Sequence, residues 1–166
     1  MKTIPLSGKY AAGRIAVVSD EDFQFLSAWQ WRLAADGYVR RDIYLGKKQG
    51  KNWYRVVRMH RLVLERMGFD IATQLGDHKD GDPLNNQRDN LRPATILENS
   101  RNRKVQARNA TGLKGVTFHR RDKRYQASIR TSNGRIHLGY FSSAEEAHAA
   151  YCRAAEMHHG SFARFA

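Results

Sequence analysis

GDHKDGDPLNNQRDNLRPATILEN, residues 76–99, is the stretch from which the rest of the chain can be ordered. The apolar lead-in IATQL, 71–75, predicts a short strand ending at Asp77. Residues 79–90 are rich in Gly, Pro, Asn and Asp, which favour turns over ladders, and predict a loop without regular structure. Residues 91–95 predict a second short strand. Thr95 with Glu98 three residues on has the pattern of a capping box, in which the two side chains occupy each other's backbone N–H groups at a helix start. A helix is therefore expected from Ile96 to about Lys104. The order strand, loop, strand, helix places Asp77 and His78 on the first strand and Asn99 on the helix. Neighbours on a strand point to opposite faces unless its end twists.

This pattern resembles the HNH nuclease motif, also called the ββα-metal motif. The resemblance implies a role for each matching residue. His78 stands at the general base and Asn90 at the middle asparagine that pins the loop. Asn99 stands at the last position, which is His in many members and Asn in a phage homing-endonuclease branch. Asp77 stands at the metal-binding acid. The spacings from 78 to 90 and from 78 to 99 fit that branch, and MHRLV, 59–63, is similar to its lead-in. His60 within it reads as a structural histidine donating to a backbone carbonyl.

Phosphodiester hydrolysis needs an activated water and a compensated phosphorane charge. A neutral imidazole titrates near neutrality and takes the water's proton. A hard divalent ion supplies positive charge, and carboxylate and amide oxygens suit it. The resemblance thus implies one Mg²⁺ or Mn²⁺ ion on Asp77 and Asn99, with phosphate oxygens and waters completing the shell.

The 166 residues carry 29 Lys and Arg against 16 Asp and Glu, a formal charge of +13, which points to a polyanionic partner, nucleic acid before an anionic membrane. No apolar run approaches membrane-spanning length, and the N-terminus has no apolar signal region. The single cysteine, Cys152, excludes an internal disulfide and a cysteine-rich zinc cluster, and reads as a small core residue. The expected setting is the cytoplasm of a phage or bacterial host cell, with the chain acting as a monomer on double-stranded DNA and no membrane partner.

Residues 1–58 predict a small sheet module. GRIAVVS, 13–19, reads as a strand, Ser19 or Asp20 as a cap, and 22–29 as a helix. Residues 37–45 and 53–58 read as strands joined by a basic loop, 46–51, and Trp29, Trp31 and Trp53 as packing residues. Residues 60–67 predict a helix that Gly68 ends. The nuclease motif then occupies 59–104 and a basic linker 105–111. Arg101, Arg103 and Lys104 belong to a run with no acid, either the tail of the motif helix or part of the linker, suited to riding along phosphates.

Residues 112–166 form a second unit. Strands are expected over 116–120, 124–131 and 135–141, with Asn133-Gly134 as hairpin turn. Ser142-Ser143 offers a cap, with Glu145 or Glu146 completing a capping box, for a helix over 144–157, whose Ala147, Ala150, Tyr151 and Ala154 make a stripe that lets it lie close on the sheet. Alternation sends Val116, Phe118, Tyr125, Ala127, Ile129, Ile136, Leu138 and Tyr140 towards the helix. The other face receives Thr117, His119, Arg124, Gln126, Ser128, Arg130, Arg135 and His137, a basic and polar set without a carboxylate. KGV, 114–116, YQASIR, 125–130, RIHLGYF, 135–141, and AEEA, 144–147, resemble the plant ethylene-response-factor DNA-binding domain. That resemblance implies a three-stranded sheet in the major groove, with Lys114 and Arg120 joining the face residues in DNA contact. Thr117, Ser128 and His137 depart from the family's Arg, Glu and Trp, so the docking mode carries over and the base specificity does not.

The expected whole is an α+β homing-type endonuclease: a sheet module, a central ββα-metal motif and a C-terminal DNA-binding domain. A DNA-binding regulator with a vestigial nuclease motif is the rival, separated from it by metal-dependent nicking.

Overall fold

The computed structural model describes residues 1–105 and 109–165; residues 106–108, within the expected basic linker, and residue 166 lie outside the described residues. The protein is α+β and divides into two compact units, Met1–Thr95 and Ile96–Ala166.

The first unit holds strands β1 (Lys2–Ser7) and β2 (Ile15–Val18), helix α1 (Asp20–Ser27), and strands β3 (Trp31–Leu33), β4 (Val39–Lys48) and β5 (Lys51–Arg58). Helix α2 (Met59–Arg66) and strands β6 (Leu75–His78), β7 (Asn85–Asn86) and β8 (Leu91–Ala94) complete it. One six-stranded sheet runs in the order β5-β4-β3-β1-β2-β7, and β6 and β8 pair antiparallel as a separate two-stranded sheet. The segment expected to be pure loop therefore contributes an edge. Asn85 and Asn86 pair parallel with Val17 and Val18, and the Val17 N–H donates to Leu84 O at 2.9 Å.

The alternation in IAVV buries Ala16 and Val18 against Ile4, Leu26, Trp31 and Val39, and the apolar side of α2 adds Met59, Val63 and Leu64. Leu91 from β8 joins the same cluster, so the core runs without a break from residue 4 to residue 91. Trp31 is 1 % exposed and its indole N–H donates to Leu26 O at 2.8 Å, so the apolar body is buried with its polar tip satisfied. Each such side chain stabilises the fold by about 2 kcal/mol. Helix α2 stops where expected: the Phe69 N–H bonds Leu64 O at 3.1 Å and the Gly68 N–H bonds Glu65 O at 3.0 Å, the paired closure of a glycine-terminated helix.

The β4–β5 hairpin is longer than its composition suggests. Gln49 and Gly50 both lie in the left-handed region, at φ 51° and 75°, and make a two-residue turn whose twist matches the strands. The ladder consequently extends through the basic residues to the pair Lys48↔Lys51.

The second unit holds helix α3 (Ile96–Arg101), strands β9 (Val116–His119), β10 (Arg124–Thr131) and β11 (Gly134–Phe141), and helix α4 (Ala144–His159) with a short 3₁₀ turn after it. Helix α3 is shorter than the expected 96–104. The three strands form an antiparallel sheet in the order β11-β10-β9. Ser143 accepts from the Glu146 N–H at 3.1 Å and the Glu146 carboxylate accepts from the Ser143 N–H at 3.3 Å, so the expected capping box is present. Ala147, Tyr151, Ala154 and Ala155 are the buried side of α4 and close over Val116, Ala127 and Ile129.

Candidate functional site

Pairing of β6 with β8 sets the first cluster. Asp77 lies opposite Arg92 and His78 opposite Leu91. Arg92 Nε is 2.8 Å from Asp77 Oδ2, and Asp77 is only 4 % exposed. The spacing alone did not reveal Arg92, because its position follows from the hairpin register rather than from the motif.

His78, 3 % exposed, belongs to a ring cluster. Its ring centroid is 5.0 Å from that of His60, nearly edge-on, and 6.0 Å from that of Tyr38. Burial pushes the His78 pKa below its ordinary value, against the opposing effect of the Asn86 side chain and of the Asp80, Asp77 and Asp82 charges. His60 is held down to about 3, first by burial and then by the charges of His78, Arg58 and Arg61. Both imidazoles are neutral at pH 7. The structural role expected of His60 takes a different form, since its Nδ1 has no hydrogen-bond partner and packing against rings and backbone holds it instead. A Cβ on Gly76 would come within 2.5 Å of His60 Cδ2, so a glycine is needed for this strand to approach α2.

Asn90 ties the loop into a knot. Its amide donates to Asp80 Oδ1 at 3.0 Å and to Asn85 O at 2.8 Å, while its carbonyl accepts from the Asp80 N–H at 3.1 Å. Asp80 also accepts from the Asp82 N–H at 2.8 Å and the Asn85 amide at 2.8 Å. Burial opposes ionisation of Asp80, but these hydrogen bonds outweigh it and hold the carboxyl below its usual range. Asn86, fully buried, donates to the carbonyls of Pro83 and Leu84. Asn99 lies on α3 of the other unit and is half-buried.

A second set went unrecognised in the sequence. Asp22 on α1 is 0 % exposed and accepts from Arg88 Nε at 2.7 Å, Arg88 Nη2 at 2.9 Å and Arg66 Nε at 2.8 Å. The Ser19 hydroxyl, expected to cap α1, instead accepts from the Arg88 backbone N–H at 2.9 Å. Both contacts fasten the motif loop to α1 across more than sixty positions of sequence, which no local pattern signals.

On the C-terminal sheet, Arg124, Arg130, Arg135 and His137 are exposed, and His119, Gln126 and Ser128 are half-buried. Arg130 lies directly opposite Arg135. Gln126 Nε2 lies 3.1 Å from His137 Nδ1. A register shift in β11 moves Tyr140 from the expected helix side onto this face. Ala127 pairs with Gly139 but Ser128 with His137, and Gly139 has φ 129°. The Tyr140 ring accordingly sits 4.9 Å from that of His137 and 5.8 Å from that of His119. The strands bring no carboxylate to the face, but Asp122 in the β9–β10 turn reaches His119 Nδ1 at 3.1 Å.

Lys114 is turned inward. Its ammonium donates to Arg101 O at 2.6 Å and Arg103 O at 2.7 Å, and burial, followed by the Arg164 charge, lowers its pKa to about 8. Arg103, Lys104 and Arg120 line a cleft of about 750 Å³ beside it, and Arg101, Arg130 and Arg135 line a neighbouring one of about 430 Å³. Among the described residues, no group of three or more His, Cys, Asp or Glu is arranged to hold a metal ion. No helix described is long and apolar enough to cross a membrane.

No family model matches the chain. It is 35 % identical over 120 residues to Protein 3.8 of Escherichia phage T7, covering 72 % of this chain and 98 % of the phage protein. It is 32 % identical over 154 residues to a protein of Acanthamoeba polyphaga mimivirus described as an uncharacterized HNH endonuclease, covering 91 % of this chain and 74 % of that relative. That extent of likeness carries the assignment: the chain belongs to the HNH endonuclease family.

Proposed function

We propose that this chain is a metal-dependent endonuclease of the homing type that hydrolyses phosphodiester bonds of double-stranded DNA. The observation that carries the reading is the β6–β8 hairpin with its knotted loop: it holds Asp77 and a neutral His78 at consecutive positions of β6, with Asn90 fixing the connection. His78 is the base. An imidazole neutral at pH 7 accepts a proton from the attacking water and holds it while the phosphodiester breaks. The Tyr38 and His60 rings fix its plane, so little reorganisation is needed when the proton arrives. Asn90 acts through the loop, holding the strand end in place.

The donor set suits a hard divalent ion. Asp77 and Asn99 offer carboxylate and amide oxygens, the ligands Mg²⁺ and Mn²⁺ prefer, and the ion when bound would supply positive charge to the phosphate. Arg92 Nε holds Asp77 Oδ2 at 2.8 Å, so an ion bound by Asp77 would have to share that carboxylate with a guanidinium.

The C-terminal sheet is the DNA-gripping part, in the manner of the ethylene-response-factor domain. Arg124, Arg130 and Arg135 neutralise phosphates, and His119, Gln126, His137 and Tyr140 stand where base edges pass. Arg130 and Arg135 are like charges directly opposed across the ladder, an arrangement that costs stability until an anion lies over it.

One observation favours the rival, a DNA-binding regulator with a vestigial motif. Asp77 and His78 are 4 % and 3 % exposed, and Asp77 is already paired with Arg92. Plasmid nicking decides between them. The wild-type chain with Mg²⁺ or Mn²⁺ should convert supercoiled to open circular DNA, chelator should stop it, and His78→Ala should abolish it with DNA affinity nearly unchanged. Wild-type rates from His78→Ala sink the assignment of the base.

A further inference from the structure

The β4–β5 hairpin is an exposed element that the cutting site does not use. Trp53, taken from sequence as a packing residue, is 48 % exposed, and Tyr44, Leu45, Tyr54 and Val56 are exposed by 53 %, 55 %, 47 % and 49 %. β5 is the edge of its sheet. An exposed edge carrying aromatic residues invites association, and proteins that keep one usually have a partner for it.

The charges say which partner. Register and alternation place Arg41, Lys48, Lys51, Trp53 and Arg55 on one face. Lys48 Nζ stands 4.3 Å from the Trp53 ring centroid, and Lys48 lies directly opposite Lys51. From Ile43 to Val56 the chain has four cations and no carboxylate. At the foot of the hairpin, Arg40, Arg41, Arg55, Arg58 and Arg61 line a cleft of about 530 Å³ whose one acid is Glu65. Arg58 is paired with Asp36 and Arg40 approaches Asp42, whereas no ion pair engages Arg41 or Arg55 among the described residues. Arg41 lies 3.9 Å over Trp29. Like charges set opposite and uncompensated destabilise a ladder, and a polyanion relieves them.

We infer that the β4–β5 hairpin is a second DNA-gripping element, laying its Lys48–Trp53–Lys51–Arg55 face along the backbone of a duplex. A two-stranded antiparallel ribbon fits a B-form major groove of about 12 Å. The cations there take phosphates, and Trp53 takes the apolar side of the deoxyriboses. This rests on DNA being the substrate. It adds that one grip belongs to the same unit as Asp77 and His78, so the cutting unit carries affinity of its own.

The test uses the full chain carrying Lys48→Gln, Lys51→Gln and Arg55→Gln together, changes that keep long polar stems and every ladder hydrogen bond. Anisotropy of a labelled mixed-sequence duplex is followed across a salt series. Each lost phosphate contact lowers the log–log salt slope by about 0.9, so the triple variant should lose about 2.7 and bind roughly tenfold or more weakly at low salt. Trp53→Ala should weaken binding with the slope unchanged. Far-ultraviolet circular dichroism matching wild type assigns the loss to contact rather than unfolding. A triple variant that keeps the wild-type slope overturns the inference while leaving the nuclease reading intact. A wild-type chain that binds no duplex overturns both. Sedimentation showing a dimer that Trp53→Ala dissolves, with DNA binding untouched, overturns it in favour of a second copy on this edge.

Discussion

Replacing Asp22 by Ala should be the most destabilising polar substitution in the first unit, although Asp22 touches no proposed catalytic group. The carboxylate is fully buried and receives three charge-assisted hydrogen bonds of 2.7, 2.8 and 2.9 Å from two arginines. Removing it leaves Arg66 Nε and the Nε and Nη2 donors of Arg88 facing a void, while Arg88 Nη1 keeps its pairing with Glu21 Oε2 at 2.6 Å. Breaking a buried ion pair by deleting one partner costs about 3–5 kcal/mol. The arginine side chains are 33 % and 29 % exposed, so water can reach part of each guanidinium, and the lower end, about 3 kcal/mol, is expected. Burial opposes ionisation of Asp22, but the Arg88 and Arg66 hydrogen bonds and charges outweigh it and hold its pKa below the ordinary carboxylate value of 3.8. The sign follows. The stabilisation is present above pH 3.8 and is lost as pH falls further through the folded value, so wild type and variant should converge in acid. Urea denaturation of both proteins at pH 7 and in acid, followed by circular dichroism, measures this. A loss under about 1 kcal/mol at pH 7 with an unchanged m-value refutes the reasoning, because the triad would then be no better than a surface ion pair.

Asp77→Ala and Asn99→Ala should each depress metal-dependent nicking, with excess Mn²⁺ partly restoring at least one, and neither should respond to a thiophilic ion; unimpaired nicking in excess chelator excludes a metal site. His60, held down to about 3, enters the folded state neutral, so its effect is absent above pH 6.5 and the unfolding free energy should fall by about 1.4 kcal/mol per pH unit between pH 6.5 and about 3. Denaturation curves at a series of pH values should show His60→Phe shallower over that window, and equal slopes contradict the burial argument. Arg124→Ala and Arg130→Ala should each lower the salt slope of DNA binding by about 0.9, and removing residues 112–166 should abolish discrimination between target and random duplex while slow nicking persists. Full discrimination by the truncated chain places specificity elsewhere.

What the sequence disclosed was whatever depends on neighbours along the chain. The Ser143–Glu146 capping box and the Gly68 helix stop appear where local chemistry puts them, whereas the β10–β11 turn falls on Ser132 and Asn133, one residue before the expected Asn133-Gly134, with Gly134 opening β11 opposite Thr131. The pairings that join distant segments were not legible. Arg92 meets Asp77 only because Leu75–His78 and Leu91–Ala94 adopt one register among several. Asp22 meets Arg88 across 66 positions, and Asn86 reaches Val18 because an irregular loop lies along a strand that has an open edge. Trp53 was misplaced for a different reason. Alternation tells which residues share a face but not whether anything covers that face, and among the described residues nothing covers the far half of this hairpin, where Tyr44, Leu45, Trp53 and Tyr54 stay exposed.

The offset at Gly139 has a consequence for reading variation in this strand. Past it, odd and even positions exchange sides, so Tyr140 stands with the histidines and Phe141 with the helix, opposite to what counting by twos gives. Deleting one residue there would remove the bulge and restore simple alternation, leaving Tyr140 opposite Gln126 on the open side and Phe141 opposite Tyr125 on the packed side. Keeping the residue but flattening the bulge would instead swap the two aromatics, so the open surface would trade a phenol for a phenyl ring and the interior would receive a hydroxyl. A length change of one at this place is thus absorbed without a change of surface chemistry, and it is the bulge that decides which aromatic the sheet presents.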